Sequence, residues 1–224
     1  MTDSEYKLYI DDVIRRVEEA RLKVSEHHIV KIIAVSKYSQ VEDIEHLYRI
    51  GQRAFGENKV QDLREKAKTL EDFPIEWHFI GNLQKNKINN LLTIDPSLFQ
   101  ALDSLELAQE LQKKLLAKDM TLDALLQINS AKEESKHGVM PEDALEIYKQ
   151  IQKECPNIKL KGLMSIGAHT DDKEIVRKSF ETTHKLYEQL EAATICSMGM
   201  SGDFELAIEC GSNMVRLGSI MFNK

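Results

Sequence analysis

A chain of 224 residues is long enough to bury a full core as one large domain or two small ones. Its 42% apolar and 30% charged residues are those of an ordinary globular protein, and its net charge of −7, with no Lys/Arg block to offset it, excludes a nucleic-acid footprint. Three cysteines without CxxC spacing (Cys155, Cys196, Cys210), a polar N-terminal stretch and no apolar run of membrane-spanning length predict a reduced, cytoplasmic protein with no membrane partner.

Residues 4–27 carry Val13, Val17, Ala20 and Val24 among charges at helical spacing, with Ser4 placed to cap the helix. Residues 30–37 are rich in β-branched side chains and read as a strand buried on both faces. Strand and helix signals then alternate. A helix over 41–50, closed by Gly51, precedes strand 53–56; helix 59–70 precedes strand 76–81; helix 85–92 precedes a weaker strand at 98–102. Helix 105–117 leads to strand 125–129, and Pro141 suits the first turn of the next helix. Strand 160–166, helix 172–191, strand 195–199, a short helix at 203–209, strand 214–217 and a last turn at 220–222 complete the chain.

Eight strand signals, each followed by a helix signal and short loops, predict one α/β domain over 1–224: a (β/α)8 TIM barrel at 29–224 with an extra N-terminal helix at 1–28. An open doubly wound sheet is the alternative. Neither GxGxxG after the first strand nor GxxxxGK[ST] occurs, so the common nucleotide signatures are absent.

Barrel chemistry sits at the C-terminal ends of the strands. Lys37 closes the first strand there, and partial desolvation at the mouth would favour the neutral, nucleophilic amine that attacks an aldehyde. A lysine snorkelling into solvent explains the same position. The stretches 197–203 and 215–219 bring glycines and serines after strands seven and eight, the recurrent phosphate site of barrels, although Gly and Ser punctuate any loop. The histidines, His27 and His28 included, show no metal-ligand spacing, and His169 with Asp171 and Asp172 reads as helix-start chemistry. Met198, Met200, Met214 and Met221 read as core filler.

Six stretches in register resemble the pyridoxal phosphate homeostasis proteins: Ala34-Val35-Ser36-Lys37, Phe55-Gly56-Glu57-Asn58, Trp77-His78-Phe79-Ile80-Gly81, Gly162-Leu163-Met164, the run from Ser197 to Asp203, and Val215-Arg216-Leu217-Gly218. The resemblance implies a barrel similar to the N-terminal domain of alanine racemase, with pyridoxal 5′-phosphate (PLP) held as a Schiff base on Lys37. It implies that Arg216 faces the pyridine nitrogen, that Ser201, Gly218 and Ser219 bind the phosphate, and that Asn58 and His78 line the pocket. This chain departs from the pattern at Tyr38-Ser39, Asn82, Asn213 and Asn223, none of which alters Lys37 or Arg216. A guanidinium only donates, so its partner nitrogen must stay unprotonated and the ring becomes a modest electron sink. Alone, Arg216 would read as an interior arginine paired with an acid such as Glu209.

Three functions compete. The resemblance implies a non-enzymatic, monomeric protein that binds, buffers and delivers PLP to apo enzymes. An amino-acid racemase of the alanine racemase type needs a second base, expected to be absent because the chain stops shortly after strand eight. An enzyme acting on an unrelated phosphorylated metabolite would be colourless.

Overall fold

A strand that is apolar on both faces must be covered on both, and its parallel neighbour is reached only through a crossover long enough for a helix. The chain meets both demands with a closed barrel of eight parallel strands in sequence order. They are β1 (Lys31–Val35), β2 (Ala54–Glu57), β3 (Glu76–Phe79), β4 (Leu98–Leu102), β5 (Leu122–Ile128), β6 (Ile158–Ser165), β7 (Ile195–Ser197) and β8 (Met214–Leu217). The structure, a computed structural model, describes residues 3–222; the side chain of Ser4 and all of Asn223, and the expectations attached to them, lie outside the described residues. Pairing of β8 with β1, Lys31 opposite Met214 and Ile33 opposite Arg216, closes the ring and rules out the open sheet.

Helices α1 (Asp3–Leu22), α2 (Val41–Arg49), α3 (Val60–Thr69), α4 (Ile88–Ile94, after a 3-10 turn at Lys85–Lys87), α5 (Leu105–Lys118), α6 (Ala144–Glu154), α7 (Lys173–Tyr187), α8 (Phe204–Glu209) and α9 (Ser219–Phe222) complete the described elements. Two boundaries differ instructively from the sequence pattern. β5 begins at Leu122 rather than 125, because Leu122 and Ala124 pair with Ile158 and Leu160 of β6 and bury their side chains there. Pro141 sits in a turn ahead of α6, whose first residue is Ala144, so it introduces the helix without entering its first turn. Asp172 caps α7 by accepting from the Glu174 and Ile175 N–H groups at 2.9 and 3.4 Å, the role its position suggested.

Side-chain alternation along the strands sorts the core into two shells. Phe55, Phe79 and Phe99 are fully buried, and the latter two stack at 5.7 Å. Each such ring contributes about 1.5–3 kcal/mol by leaving water. Gly56 lies on the other face, where an added Cβ would stand 3.1 Å from Ile33 Cγ2. Gly162 is required at its site: φ is +147°, and a Cβ would lie 1.9 Å from the Ile195 carbonyl oxygen, beside the register shift between Ala124 and Leu125. The added helix α1 packs outside the barrel on α8, α9 and α2, burying Val13, Val17 and Ala20. Arg16 lies over the Phe204 ring at 4.8 Å and pairs with Glu205.

Candidate functional site

The C-terminal ends of the strands enclose a cavity of about 630 Å³ whose wall includes Lys37, Asn58, Ser201, Arg216, Gly218 and Ser219. Six of the seven positions picked from the sequence therefore meet in one place. Val35, Met164 and Phe222 supply apolar wall, and Tyr38, Ile80 and Met200 join them. Met200 is 40% exposed here, so it is lining rather than core filler; Met198, Met214 and Met221 are buried as expected.

Lys37 stands one residue beyond a braced strand end. Ser36 is fully buried and donates its hydroxyl to Glu57 Oε1 at 2.7 Å, while Lys66 from α3 donates to the same oxygen at 2.6 Å and to the Ser36 carbonyl at 2.7 Å. Lys37 itself is exposed, its Nζ 5.1 Å from the centre of the Tyr38 ring. The expected desolvation of this amine is thus not provided by the protein wall alone. What the fold supplies is a fixed anchor and open access.

The loops after β7 and β8 are tied together. Gly199, at φ +95°, turns the chain out of β7 and accepts from the Arg216 N–H at 3.0 Å, while the Ser201 hydroxyl accepts from the Gly218 N–H at 3.1 Å. Asp203 closes the turn by accepting from the Met200 N–H at 2.6 Å; burial pushes its carboxyl up, against the pull of that N–H and of Arg216. The Met200, Arg216 and Gly218 N–H groups are engaged within these loops, which leaves the Ser201 and Ser219 hydroxyls as the donors they offer an anion.

Arg216 is buried on the barrel interior. One terminal nitrogen donates to the Ser197 carbonyl at 2.9 Å and hydroxyl at 2.7 Å, the other to the Ser165 carbonyl at 2.8 Å. Glu209 is not its partner: that carboxylate pairs with Lys23 and Arg177 on the outside. Burial pulls the guanidinium down to about 10, with Asp203 opposing the shift. A guanidinium has five N–H donors. The three bonds leave one on Nη2 and the one on Nε with no partner among the described residues, in a side chain that forms cavity wall.

His78 departs from expectation. It is buried inside the barrel, below the cavity, with Nε2 2.9 Å from Glu76 Oε1 and Nδ1 2.8 Å from the Gln100 amide nitrogen. With Lys31, Asp123 and Lys161 it lines a different recess of about 380 Å³ at the N-terminal ends of the strands. β3 ends at Phe79, so His78 lies one pleat too deep to reach the mouth. Gln100 went unnoticed in the sequence, although one amide in Leu98-Phe99-Gln100-Ala101-Leu102 was the available signal.

A family model described as the N-terminal domain of alanine racemase matches residues 10–224. The pyridoxal phosphate homeostasis protein of Helicobacter pylori is 56% identical over 220 residues, 98% of this chain and 99% of that protein. The chain belongs to the pyridoxal phosphate homeostasis protein family. Its human member is 39% identical over 210 residues, 87% of this chain and 76% of that one. Among solved structures, a protein of unknown function from Bifidobacterium adolescentis superposes with a TM-score of 0.92 at 30% identity, covering 98% of this chain and 95% of that one. PipY of Synechococcus elongatus, solved with PLP bound, gives 0.79 at 28%, covering 92% and 99%. Alanine racemase from Clostridium difficile shares the fold, at a TM-score of 0.75 and 16% identity.

Proposed function

We propose that this chain is a non-enzymatic PLP-binding protein of cofactor homeostasis, holding PLP as a Schiff base on Lys37 and delivering it to apo enzymes. The observation that carries the reading is the single cavity in which an exposed lysine, two spare guanidinium donors and the tied Ser201–Gly218 loops converge. That donor set fits the cofactor group by group: an amine for the aldehyde, hydroxyl donors for the phosphate, and a donor-only cation for an unprotonated ring nitrogen. Bound there, the cofactor supplies an electrophilic aldehyde carbon. Lys37 would hold that carbon, Ser201, Gly218 and Ser219 would take the phosphate, Asn58 would line the pocket, and Arg216 would donate to the ring nitrogen.

Racemisation needs a proton acceptor on each face of a substrate carbon. Among the described lining residues no carboxylate or imidazole stands across the cavity from Lys37 to serve as an opposing base, which favours carriage over turnover. No described helix is long and apolar enough to cross a membrane. All three cysteines are free and buried, and burial pushes the Cys196 thiol to about 12 and Cys210 to about 11, in keeping with the cytoplasm.

One preparation tests the reading. Borohydride should fix a pyridoxyl group on the peptide containing Lys37, and the loaded protein should reactivate an apo PLP enzyme. Lys37→Ala should lose the label and the visible absorbance while its melting temperature stays put. Label on another lysine would sink the site; Lys37-dependent loss of optical activity from an L-amino acid would make the protein a racemase.

A further inference from the structure

A chain of hydrogen bonds crosses the barrel interior from Arg216 to the opposite end. Arg216 Nη1 donates to the Ser197 hydroxyl at 2.7 Å, Ser197 to Gln100 Oε1 at 2.7 Å, and the Gln100 amide nitrogen to His78 Nδ1 at 2.8 Å. His78 Nε2 then meets Glu76, which also holds Lys31. Gln100 and Ser197 are fully buried and His78 nearly so.

Chemistry fixes the direction of this chain. Arginine has no acceptor, so Ser197 must receive its proton and pass its own hydrogen onward. Only Gln100 Oε1 is in reach to take it, which turns the amide NH2 toward His78. Nδ1 must therefore be bare, and the imidazole is neutral with its proton on Nε2, donated to Glu76. Reversing the amide would leave the Ser197 hydrogen facing donors alone. Burial, which pulls the imidazole below its usual range, favours the same neutral form against the pull of Glu76.

We propose that Gln100 is a positioning residue for the cofactor ring: it fixes the rotation of Ser197, and through Ser197 the guanidinium of Arg216 that donates to the ring nitrogen. The inference rests on the PLP reading above and adds a determinant that does not touch the ligand. Without Gln100 the Ser197 hydroxyl loses the acceptor for its hydrogen and is free to rotate away from Arg216, leaving the guanidinium only its two backbone acceptors, the Ser197 and Ser165 carbonyls, so that it is held less tightly against the ring nitrogen. An effect routed through the ring nitrogen must vanish when that nitrogen is absent.

The test compares PLP with its deaza analogue, in which C–H replaces the ring nitrogen, on the full-length wild type and on Gln100→Leu. Wild type should prefer PLP by about tenfold, the worth of one hydrogen bond to a charged group. Gln100→Leu should erase most of that preference while holding the analogue as well as wild type does. Equal losses for both aldehydes would reduce Gln100 to scaffolding, and an undiminished preference would overturn the proposal outright. If wild type takes up neither aldehyde, the cofactor reading itself fails. A second measurement needs no variant: the ¹⁵N spectrum of wild-type His78 should show a bare Nδ1 and a protonated Nε2. A proton on Nδ1 would contradict the direction of the chain and overturn the inference.

Discussion

The two ends of this barrel are built from similar residues and treat them in opposite ways. At the N-terminal ends of the strands Lys31 meets Glu76, Glu76 meets His78, and Lys161 lies 3.3 Å from Asp123. Each of these charges has an opposite neighbour. At the C-terminal mouth Lys37 is exposed and Arg216 keeps donors in reserve inside a wall that opposes its charge. Groups satisfied within the fold contribute stability; groups held ready but incomplete contribute affinity for something else.

The largest effect should come from breaking the incomplete end. Arg216→Met should weaken PLP binding by roughly tenfold to a hundredfold, the worth of a hydrogen bond to a charged group. Its unfolding free energy should stay within about 1.5 kcal/mol of wild type, because removing a buried charge offsets the bonds lost to Ser197 and Ser165. A loss well above that in denaturant titration would make the arginine structural. Next in size, pyridoxal without its phosphate should bind at least about tenfold more weakly than PLP, by titration of the visible absorbance, since it forfeits charge-assisted bonds from the Ser201 and Ser219 loops. Equal affinities would remove the phosphate cradle.

The complete end should show itself through pH. Burial lowers the proton affinity of His78 in the folded state, with Glu76 opposing and Lys31 adding to the effect. The unfolded chain thus binds a proton on this residue that the folded one refuses. Stability is then full above about pH 6.5 and falls below it, by no more than about 1.4 kcal/mol per pH unit. Glu76, held down to about 2 by the hydrogen bond to His78 and by Lys31, adds a second loss as pH drops from 4.5 toward that value. Asp123 and Lys161 line the same recess from β5 and β6. His78→Gln should flatten the stability curve between about pH 7 and 5; a wild type equally flat would mean that the imidazole titrates freely. The smallest effect is Asp123→Asn, which breaks a half-exposed pair: about 0.5 kcal/mol or less in denaturant titration, with PLP affinity unchanged.

Period and punctuation in the sequence determined an alternating α/β chain of eight strands, and the pairing of β8 with β1 decided that it closes into a barrel. Short β-branched runs alternating with amphipathic stretches narrow the arrangements, strand-end position drew attention to Lys37 and to the loops holding Ser201, Gly218 and Ser219, and the family resemblance singled these out and added Asn58 and Arg216, all six of which meet in one cavity. What the pattern left open was depth and direction. Whether His78 reaches the mouth or points below it depends on where β3 ends and on which face of the pleat it occupies. Whether Arg216 meets Glu209 or two serines depends on barrel closure, which puts β8 between β7 and β1 and sends Glu209 outward to Lys23 and Arg177. The exposure of Lys37 and the role of Gln100 belong to the same class. Each is set by neighbours distant in the chain, brought together by the shear and closure of eight strands, and a one-dimensional pattern carries no record of those pairings.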